Sequence, residues 1–270
     1  MNEVVSTIVR MHDPKAVGNL SRALQSLHAQ VEVPVNPIIV TQRFTQTELD
    51  AVRATVEREW FFSWQGRPLL VNYEGALPDA RSALLNLGLR RHMELQNRYV
   101  AFLDYDDFLY SDAYKHLSAR LRDCDSVIAF GGVELVKVVP LHDYDFVYDV
   151  SHPFAGRNKL DLMRDNFCPL HSYLIDTGKV RSEELYFRED LTRVEDYDFL
   201  LRLAGRYPCD FSNLSKFLGA YCMRSDGTNT TPCGSGTDQD LGRTRVWGEN
   251  RRRLDALRST YEIRLFASDF

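Results

Sequence analysis

Apolar residues in the first half of the chain alternate between short continuous runs and sets at helical spacing. The continuous runs predict strands over residues 4–9, 36–41, 68–73 and 99–103. The spaced sets predict three helical faces: Leu20, Ala23, Leu24 and Leu27; Ala80, Ala83, Leu84 and Leu87; and Tyr114, Leu117 and Leu121. We expect Asp79 and Ser111 to be the N-caps of the second and third of these helices. The alternation predicts an α/β fold, with a Rossmann-like mixed, mostly parallel sheet and helices on both faces.

The second half of the chain has a less regular pattern. We expect strands over residues 126–130 and 133–139, on either side of Gly131 and Gly132, a further strand over 171–175, and a helix over 195–207. The stretch 225–242 is rich in Gly, Ser, Thr and Asp and predicts a flexible loop. A helix is expected to follow from about Arg243, with a packed stripe formed by Trp247, Leu254, Leu257, Tyr261 and Leu265. We therefore expect one domain over residues 1–224, and a loop with a C-terminal amphipathic helix over 225–270.

Composition narrows the classes of protein that fit. The chain has 270 residues and a formal net charge of −5, which argues against a nucleic-acid binder held by a basic surface. The N-terminal residues do not resemble a signal peptide, and no apolar run approaches the roughly 20 residues of a membrane span. The five cysteines are odd in number and lack CxxC spacing, so we expect no zinc site or disulfide framework. A cytoplasmic enzyme is the expectation.

Three carboxylates follow the most apolar predicted strand, in "YVAFLDYDDFLY". Asp104 and Asp106 are two residues apart, so in an extended chain they point to the same side, while Asp107 points away. Ligands of open α/β sheets bind beyond the carboxyl ends of the strands, and paired carboxylates there suit Mg²⁺ or Mn²⁺. The alternative is a solvated acidic turn that leads into a helix.

A second acidic pair opens the predicted helix over 195–207. Asp196 lies on the same helical face as Phe199, Leu200 and Leu203, so it heads an apolar stripe, whereas Asp198 faces elsewhere. A partly desolvated carboxylate has a raised pKa and suits a general base. The alternative is that Glu195 and Asp196 are ordinary first-turn acids, stabilised by the helix dipole.

Four segments in order resemble the family-2 glycosyltransferases. They are "VSTIVRMHDP" with "LSRALQSLHAQ", "DARSALLNLGL", "RYVAFLDYDDFLYSDAYKHL" with its DxD motif, and "FREDLTRVEDYDFLLRLA" with its ED motif. The resemblance covers roughly residues 4–224. It implies a GT-A fold and a metal-dependent, inverting transfer from a nucleotide-diphosphate sugar, of the kind used in polysaccharide biosynthesis. The acceptor it implies is a hydroxyl of a glycan or a lipid-linked saccharide.

The resemblance also implies roles for individual residues. Asp106, together with Asp104, would hold Mn²⁺ or Mg²⁺, and Asp104 would lie against the ribose or the water shell of the metal. Asp196 would be the base, Glu195 would orient it, and Arg81 would help to hold the nucleotide.

Further positions are assigned more loosely by the same comparison. Arg10 and His12 replace residues of the family's "PTYN" segment, and we assign both to the donor site, with Arg224 as a phosphate contact. His171 lies where acceptor-side residues occur, with a structural histidine as the alternative. Thr41 and Gln42 replace the family's base-reading aspartate, so the choice among UDP, GDP and dTDP donors stays open.

Two other functions fit parts of the sequence. "AFLDYDDFLY" resembles the haloacid-dehalogenase phosphatase motif, which would make Asp104 a nucleophile. A nucleotide-sugar-binding domain without catalysis is the second alternative. The arginine-rich "GRTRVWGENRRRLDALRS" predicts a solvated helix packed on the domain, with peripheral contact to anionic lipids at the inner face of the membrane as the other interpretation.

Overall fold

The computed structural model of the chain describes residues 1–60, 64–141, 144–226, 229 and 238–269. Within these residues nine strands form a single mixed sheet. The strands are β1 (Asn2–Met11), β2 (Val35–Gln42), β3 (Leu69–Tyr73), β4 (Asn97–Asp104), β5 (Phe108–Leu109), β6 (Ile128–Pro140), β7 (Asp145–Ser151), β8 (Tyr173–Asp176) and β9 (Cys209–Arg224). The predicted α/β class is confirmed.

The order of the strands brings the carboxyl ends of β1 and β4 side by side. The sheet runs β3-β2-β1-β4-β8-β6-β9-β5, and β7 pairs antiparallel with residues 135–140 of β6, beyond the part of β6 that pairs with β8. Strands β3, β2, β1 and β4 are parallel, and Arg10 at the end of β1 is in register with Asp104 at the end of β4. Residues in register on parallel neighbours point to the same face, so this pair of side chains meets at the edge where ligands of α/β sheets bind.

Seven helices cover the two faces of the sheet in the described part of the chain. They are α1 (Val17–His28), α2 (Gln46–Glu59), α3 (Arg81–Leu95), α4 (Ala113–Asp123), α5 (Lys159–Arg164), α6 (Glu195–Arg206) and α7 (Asp238–Arg258). One core cluster packs α1, α2 and α4 on one face, and a second packs α3 and α6 on the other. Gly88 lets α3 approach β1, since a Cβ there would lie 2.4 Å from Ile8.

The helical faces follow the sequence pattern, but two caps do not. The predicted apolar residues of α1 and α4 are buried, and those of α3 are buried or partly buried. The N-caps of α3 and α4 are Ala80 and Asp112, so the expected caps Asp79 and Ser111 are wrong. Asp79 instead binds Arg193, an ion pair across 114 residues of sequence that short-range cap rules do not anticipate.

The strand assignments of the second half need three corrections. The two strands expected around Gly131 and Gly132 are one strand, β6, because both glycines stay in the sheet under Leu214 and Leu218 of β9. Strands β7 and β9 were not predicted. Strand β7 exposes Phe146, Val147, Tyr148 and Val150, so its apolar residues do not alternate with polar ones. Strand β9 exposes Ser212, Ser215 and Lys216 and spans 16 residues with several shifts of register against β6.

The C-terminal helix begins earlier than predicted and buries less of the expected stripe. Helix α7 starts at Asp238 rather than near Arg243, and of the predicted stripe Leu254 is fully buried whereas Leu265 is exposed. Much of the expected flexible loop, residues 227–228 and 230–237, lies outside the described residues. Arg251 and Arg253 of α7 bind Asp165 and Asp190, which favours the interpretation of a helix packed on the domain. None of the helices in the described ranges combines the length and apolarity of a membrane span.

Candidate active site

Two adjoining cavities open at the carboxyl ends of β1 and β4. The first, of about 90 Å³, contains both carboxylates of the DxD motif, and the second, of about 390 Å³, contains the Glu195–Asp196 pair. The two cavities share a wall formed by Arg10, Arg81, Asp104, Asp107 and Tyr221. The sheet and α6 thus bring both predicted acidic motifs to one place, although about 90 residues separate them in sequence.

Arg10 joins the two motifs directly. Its Nε and Nη2 donate to Oδ1 and Oδ2 of Asp104 at 2.7 and 2.8 Å, and its Nη1 donates to Oε1 of Glu195 at 2.8 Å. The side chains of Arg10 and Glu195 are only 10% and 5% exposed. Burial acts to raise the pKa of Asp104, but the charge and hydrogen bonds of Arg10 outweigh it and hold that pKa below its usual value.

The two neighbouring carboxylates, Asp106 and Asp107, have raised rather than lowered pKa values. Burial, and then the charge of Asp104, raise the pKa of Asp106 to about 6. Burial and the charge of Asp106 raise the pKa of Asp107 well above its usual value, although its Oδ1 accepts a hydrogen bond from the Cys222 amide at 2.8 Å. The expectation that Asp107 points away is wrong, because a turn in which the Asp107 amide donates to the Asp104 carbonyl replaces the extended chain that the spacing argument assumes.

Asp196 lines the second cavity from the first turn of α6. Its Oδ1 accepts from its neighbour Tyr197 (N–H, 2.8 Å), and Oδ2 lies 3.5 Å from Nδ2 of Asn166. Burial, and then the charge of Glu195, raise the pKa of Asp196 to about 7. A carboxylate that titrates near neutrality is matched to general-base work, because it is deprotonated often enough and still basic enough to accept a proton.

The backbone just before this pair is strained. Val194, the N-cap of α6, has φ 57° and ψ 19°, in the left-handed region that β-branched residues rarely adopt. Its side chain is buried, and its carbonyl accepts the amide of Asp198 at 3.0 Å. Backbone strain of this kind is concentrated at active sites and ligand clamps, and here it immediately precedes Glu195 and Asp196.

Arg81 starts α3 and lines both cavities. Burial lowers its pKa, and the nearby charge of Glu195 opposes that effect. Asp79 lies 3.4 Å from Nε of Arg81 and accepts from Nη1 of Arg193 at 2.6 Å, so one carboxylate steadies two arginines at the rim.

The remaining predicted residues divide into two groups. His12 and Arg224 line the first cavity; His12 packs edge-on against Tyr105, and Arg224 pairs with Asp226 at 2.8 Å. His171 lines neither cavity: its side chain is fully buried, 3.4 Å from Asp107, and burial lowers its pKa to about 4. The acceptor-side assignment of His171 is therefore corrected to the structural alternative.

Several residues of the site were not singled out by the sequence. Arg22 of α1 donates to the carbonyl oxygen of Asp106 at 2.5 Å and also pairs with Asp145. Asn166 and Trp247 line the second cavity beside Asp196. Their signal lies only in the tertiary arrangement, since each comes from an element whose position against the DxD turn the local pattern does not determine.

The residues present fit a divalent cation in part. The Asp106 carboxylate has no hydrogen bond or ion pair to another side chain within the described ranges, and it is a hard oxygen ligand in a half-buried, negatively charged position. The structure describes no cluster of three or more His, Cys, Asp or Glu side chains arranged to hold a metal ion. This fits an ion such as Mg²⁺ or Mn²⁺ that takes one or two carboxylates and completes its shell with phosphate and water.

Comparison with solved structures finds the same fold in nucleotide-sugar-binding proteins. S. aureus TarS 1–349 in complex with UDP matches with a TM-score of 0.59 and 15% identity, over 92% of this chain and 65% of that one. The same protein in complex with UDP-GlcNAc gives 0.59 and 15%, over 95% and 74%. The mannosyltransferase PcManGT from Pyrobaculum calidifontis, in complex with GDP-Man and Mn²⁺, gives 0.57 and 13%, over 84% and 59%.

These similarities establish the fold. The predicted GT-A architecture is confirmed, while at 13–15% identity the individual site residues rest on the geometry of this chain. The chain spans less than two thirds of the UDP-bound TarS chain and of PcManGT. No protein-family model matches the sequence, and neither does any curated protein.

Proposed function

We propose that the chain is a metal-dependent, inverting glycosyltransferase. It moves a sugar from a nucleotide-diphosphate donor to a hydroxyl of a glycan or lipid-linked acceptor. The observation that carries the proposal is the shared wall between the two cavities, with Asp106 on one side and Asp196, of pKa about 7, on the other. A diphosphate and an attacking hydroxyl bound in these cavities would meet at that wall.

The first cavity, of about 90 Å³, suits the phosphate part of the donor. Arg81 and Arg224 supply positive charge for phosphate oxygens, and His12 offers a ring beside the site. Asp106 would hold the cation, which offsets the charge that grows on the leaving diphosphate. Asp104 is a weaker metal ligand than the sequence suggested, because both of its oxygens already accept hydrogen bonds from Arg10. The donors bound by the structural neighbours, UDP-GlcNAc and GDP-Man, support this class of ligand.

The second cavity suits the acceptor and the base. Asp196 accepts the proton of the acceptor hydroxyl. At the same time the oxygen of that hydroxyl forms a bond to the anomeric carbon, and the bond from the anomeric carbon to the diphosphate breaks. Attack from the side opposite the leaving group inverts the anomeric configuration. Phe154, Leu170 and Trp247 make much of the wall apolar, which suits the carbon face of a sugar ring.

The phosphatase alternative finds no support in the geometry. Its nucleophile would be Asp104, whose two oxygens are engaged by Arg10, and its motif would follow an early strand, whereas β4 is the fourth. A binding domain without catalysis would use the same first cavity. Only a measurement of turnover distinguishes it from a transferase.

A panel of nucleotide sugars tests the proposal. The protein is mixed with UDP-, GDP- and dTDP-sugars and Mn²⁺, and thermal stabilisation and slow release of the nucleotide diphosphate are measured. We expect one nucleotide class to raise the melting temperature in the presence of Mn²⁺ and to be hydrolysed slowly. An acceptor panel then follows, with the anomeric configuration of the product read by NMR.

Each outcome separates the candidates. Stabilisation with no turnover across donors and acceptors favours the binding domain, and release of phosphate from phosphomonoesters favours the phosphatase. A product that retains the donor configuration contradicts the role of Asp196 as base in a single displacement. Absence of stabilisation by every nucleotide sugar contradicts the proposal as a whole.

A further inference from the structure

We propose that Arg10 is a positioning residue that ties the DxD turn to the start of helix α6 and reserves Asp106 as the carboxylate available to a cation. The inference rests on the proposed function for its catalytic consequence but not for its geometry. The resemblance led to the expectation that Arg10 contacts the donor; its three hydrogen bonds go to protein carboxylates instead.

The geometry follows from the sheet and the helix together. Arg10 and Asp104 are in register on parallel neighbours, so their side chains leave the same face of the sheet. Glu195 is the first residue of α6 and reaches the remaining Nη1 of the same guanidinium. One planar group with fixed donor directions therefore sets the distance between the β4 turn and the first turn of α6.

The charges explain why a cation is needed at this point. Asp104, Asp106, Glu195 and Asp196 converge on one partly buried region, and like charges at short range disfavour one another. Arg10 pairs with Asp104 and Glu195 and leaves the other two without a comparable partner in the described residues. The paired carboxylates are structural, and the unpaired ones are those assigned to the metal and to the acceptor proton.

Removal of Arg10 should strengthen the binding of Mn²⁺ but lower turnover. In Arg10→Gln, Asp104 is released and can join Asp106 as a ligand, so Mn²⁺ should bind more tightly in the absence of donor. The start of α6 loses its tether at the same time, so the amides of its first turn should exchange with solvent faster and turnover should fall. A purely structural arginine would lower stability without strengthening the binding of Mn²⁺.

The experiment measures Mn²⁺ affinity, hydrogen exchange over residues 195–200 and donor turnover in three variants. For Arg10→Gln we expect Mn²⁺ to bind about tenfold more tightly, the size of a pKa unit for a nearby charge. We expect turnover to fall about 10²-fold, as for a misplaced catalytic group. Arg10→Lys keeps the charge without the fork, so Mn²⁺ affinity should stay near that of the unchanged protein while exchange rises.

Arg120→Gln is the matched control. Arg120 donates through Nε and Nη2 to Asp210, which is 9% exposed at the side chain, and neither residue lines the two cavities. This variant releases a carboxylate elsewhere and should change neither Mn²⁺ affinity nor exchange in the first turn of α6. Its stability loss calibrates that of Arg10→Gln.

Two results would overturn the proposal. Weaker or unchanged Mn²⁺ binding in Arg10→Gln, in protein shown to be folded by circular dichroism, would mean that Asp104 is not held back from the cation. Unchanged exchange over residues 195–200 would mean that Arg10 does not tether α6. Both measurements are made without donor, so they stand even if no nucleotide sugar proves to be a substrate.

Discussion

Adjacent acidic residues at the start of α6 differ in their partners, and this difference supports the roles proposed for them. Glu195 is tied to Arg10, whereas Asp196 turns about 100° around the helix and faces the second cavity with only amide donors nearby. The same division separates Asp104 from Asp106 in the DxD turn. At the scale of single residues, Arg10 pairs with one carboxylate of each motif, and the other carboxylate stays available for the proposed chemistry.

Asparagine at the two available positions should abolish transfer by different routes. Asp106→Asn removes the carboxylate proposed to hold the cation, so donor-dependent thermal stabilisation by Mn²⁺ should disappear along with turnover. Asp196→Asn removes the base, which is worth about 10²–10⁴-fold in rate, while donor binding should persist. Turnover assays and thermal shift with Mn²⁺ and donor measure both effects. Near-normal rates in Asp196→Asn would show that the base lies elsewhere.

The pH dependence should report the same carboxylate. Because a general base must be deprotonated, kcat/KM for the acceptor should rise with pH and pass its half-maximum near the pKa of Asp196, about 7. The mutation Asp196→Asn should remove this limb from any residual activity. A profile that is flat between pH 5.5 and 8.5 would contradict the assignment.

Asp196 should also reduce stability at high pH. The pKa of Asp196 is about 4 in the unfolded chain and about 7 in the folded protein. Its contribution to stability is therefore fully present below pH 4 and is lost as the pH rises through 7. Asp196→Asn should therefore be more stable than the unchanged protein at pH 8, by a few kcal/mol at most since each pKa unit corresponds to about 1.4 kcal/mol. At pH 4 the two should be nearly equal. Urea unfolding at both pH values measures the difference.

The sequence locates the two acidic motifs of the candidate site better than it predicts which side chains hold them in place. Spacing and an apolar strand select Asp104 and Asp106 as a pair, and helical periodicity places Asp196 at the head of an apolar stripe. The double role of Arg10 depends on the register of β1 with β4 and on where α6 meets the sheet. The sequence leaves both interpretations of His171 open for the same reason, because its burial behind Asp107 is set by tertiary packing.

At the scale of elements, helices were predicted more accurately than late strands. The faces of α1, α4 and α6 follow a period of 3.6 residues that depends on one element alone. Strand β9 depends on its partners β6 and β5, and its long, interrupted register gives no simple alternation. Its course nonetheless matters for the site, since its residues Tyr221 and Cys222 help to enclose the DxD turn.

The left-handed N-cap of α6 offers a test of strain at this scale. In an ordinary helix interior alanine is more stable than glycine by up to about 1 kcal/mol, but at φ 57° the order should reverse. Val194→Gly should therefore be more stable than Val194→Ala by roughly 1 kcal/mol, although both lose the buried side chain. Denaturant unfolding of the two variants decides it, and a more stable Val194→Ala would mean that the backbone is not strained.

At the scale of the whole molecule, a buried ion pair fastens the segment after α7 to the main sheet. Lys159 is completely buried, with Nζ 2.7 Å from Oδ2 of Asp269 and within 3.2 Å of the carbonyl oxygens of Tyr207 and Arg264. Asp269 also accepts the amide of Cys209 at the start of β9. The Lys159–Asp269 pair and its hydrogen bonds thus connect α5, β9 and residues 264–269.

Removing one partner of this pair should cost much more than removing an exposed one. Lys159→Met leaves the Asp269 carboxylate buried without its cation, which typically costs about 3–5 kcal/mol. Lys137→Met breaks an ion pair with Asp149 at the surface, 39% and 43% exposed, and should cost far less, because exposed ion pairs contribute little to stability. Because neither lysine lines the two cavities, donor binding by the folded fraction should be unchanged in both. Equal losses of unfolding free energy in the two variants would mean that the buried pair does not hold the segment in place.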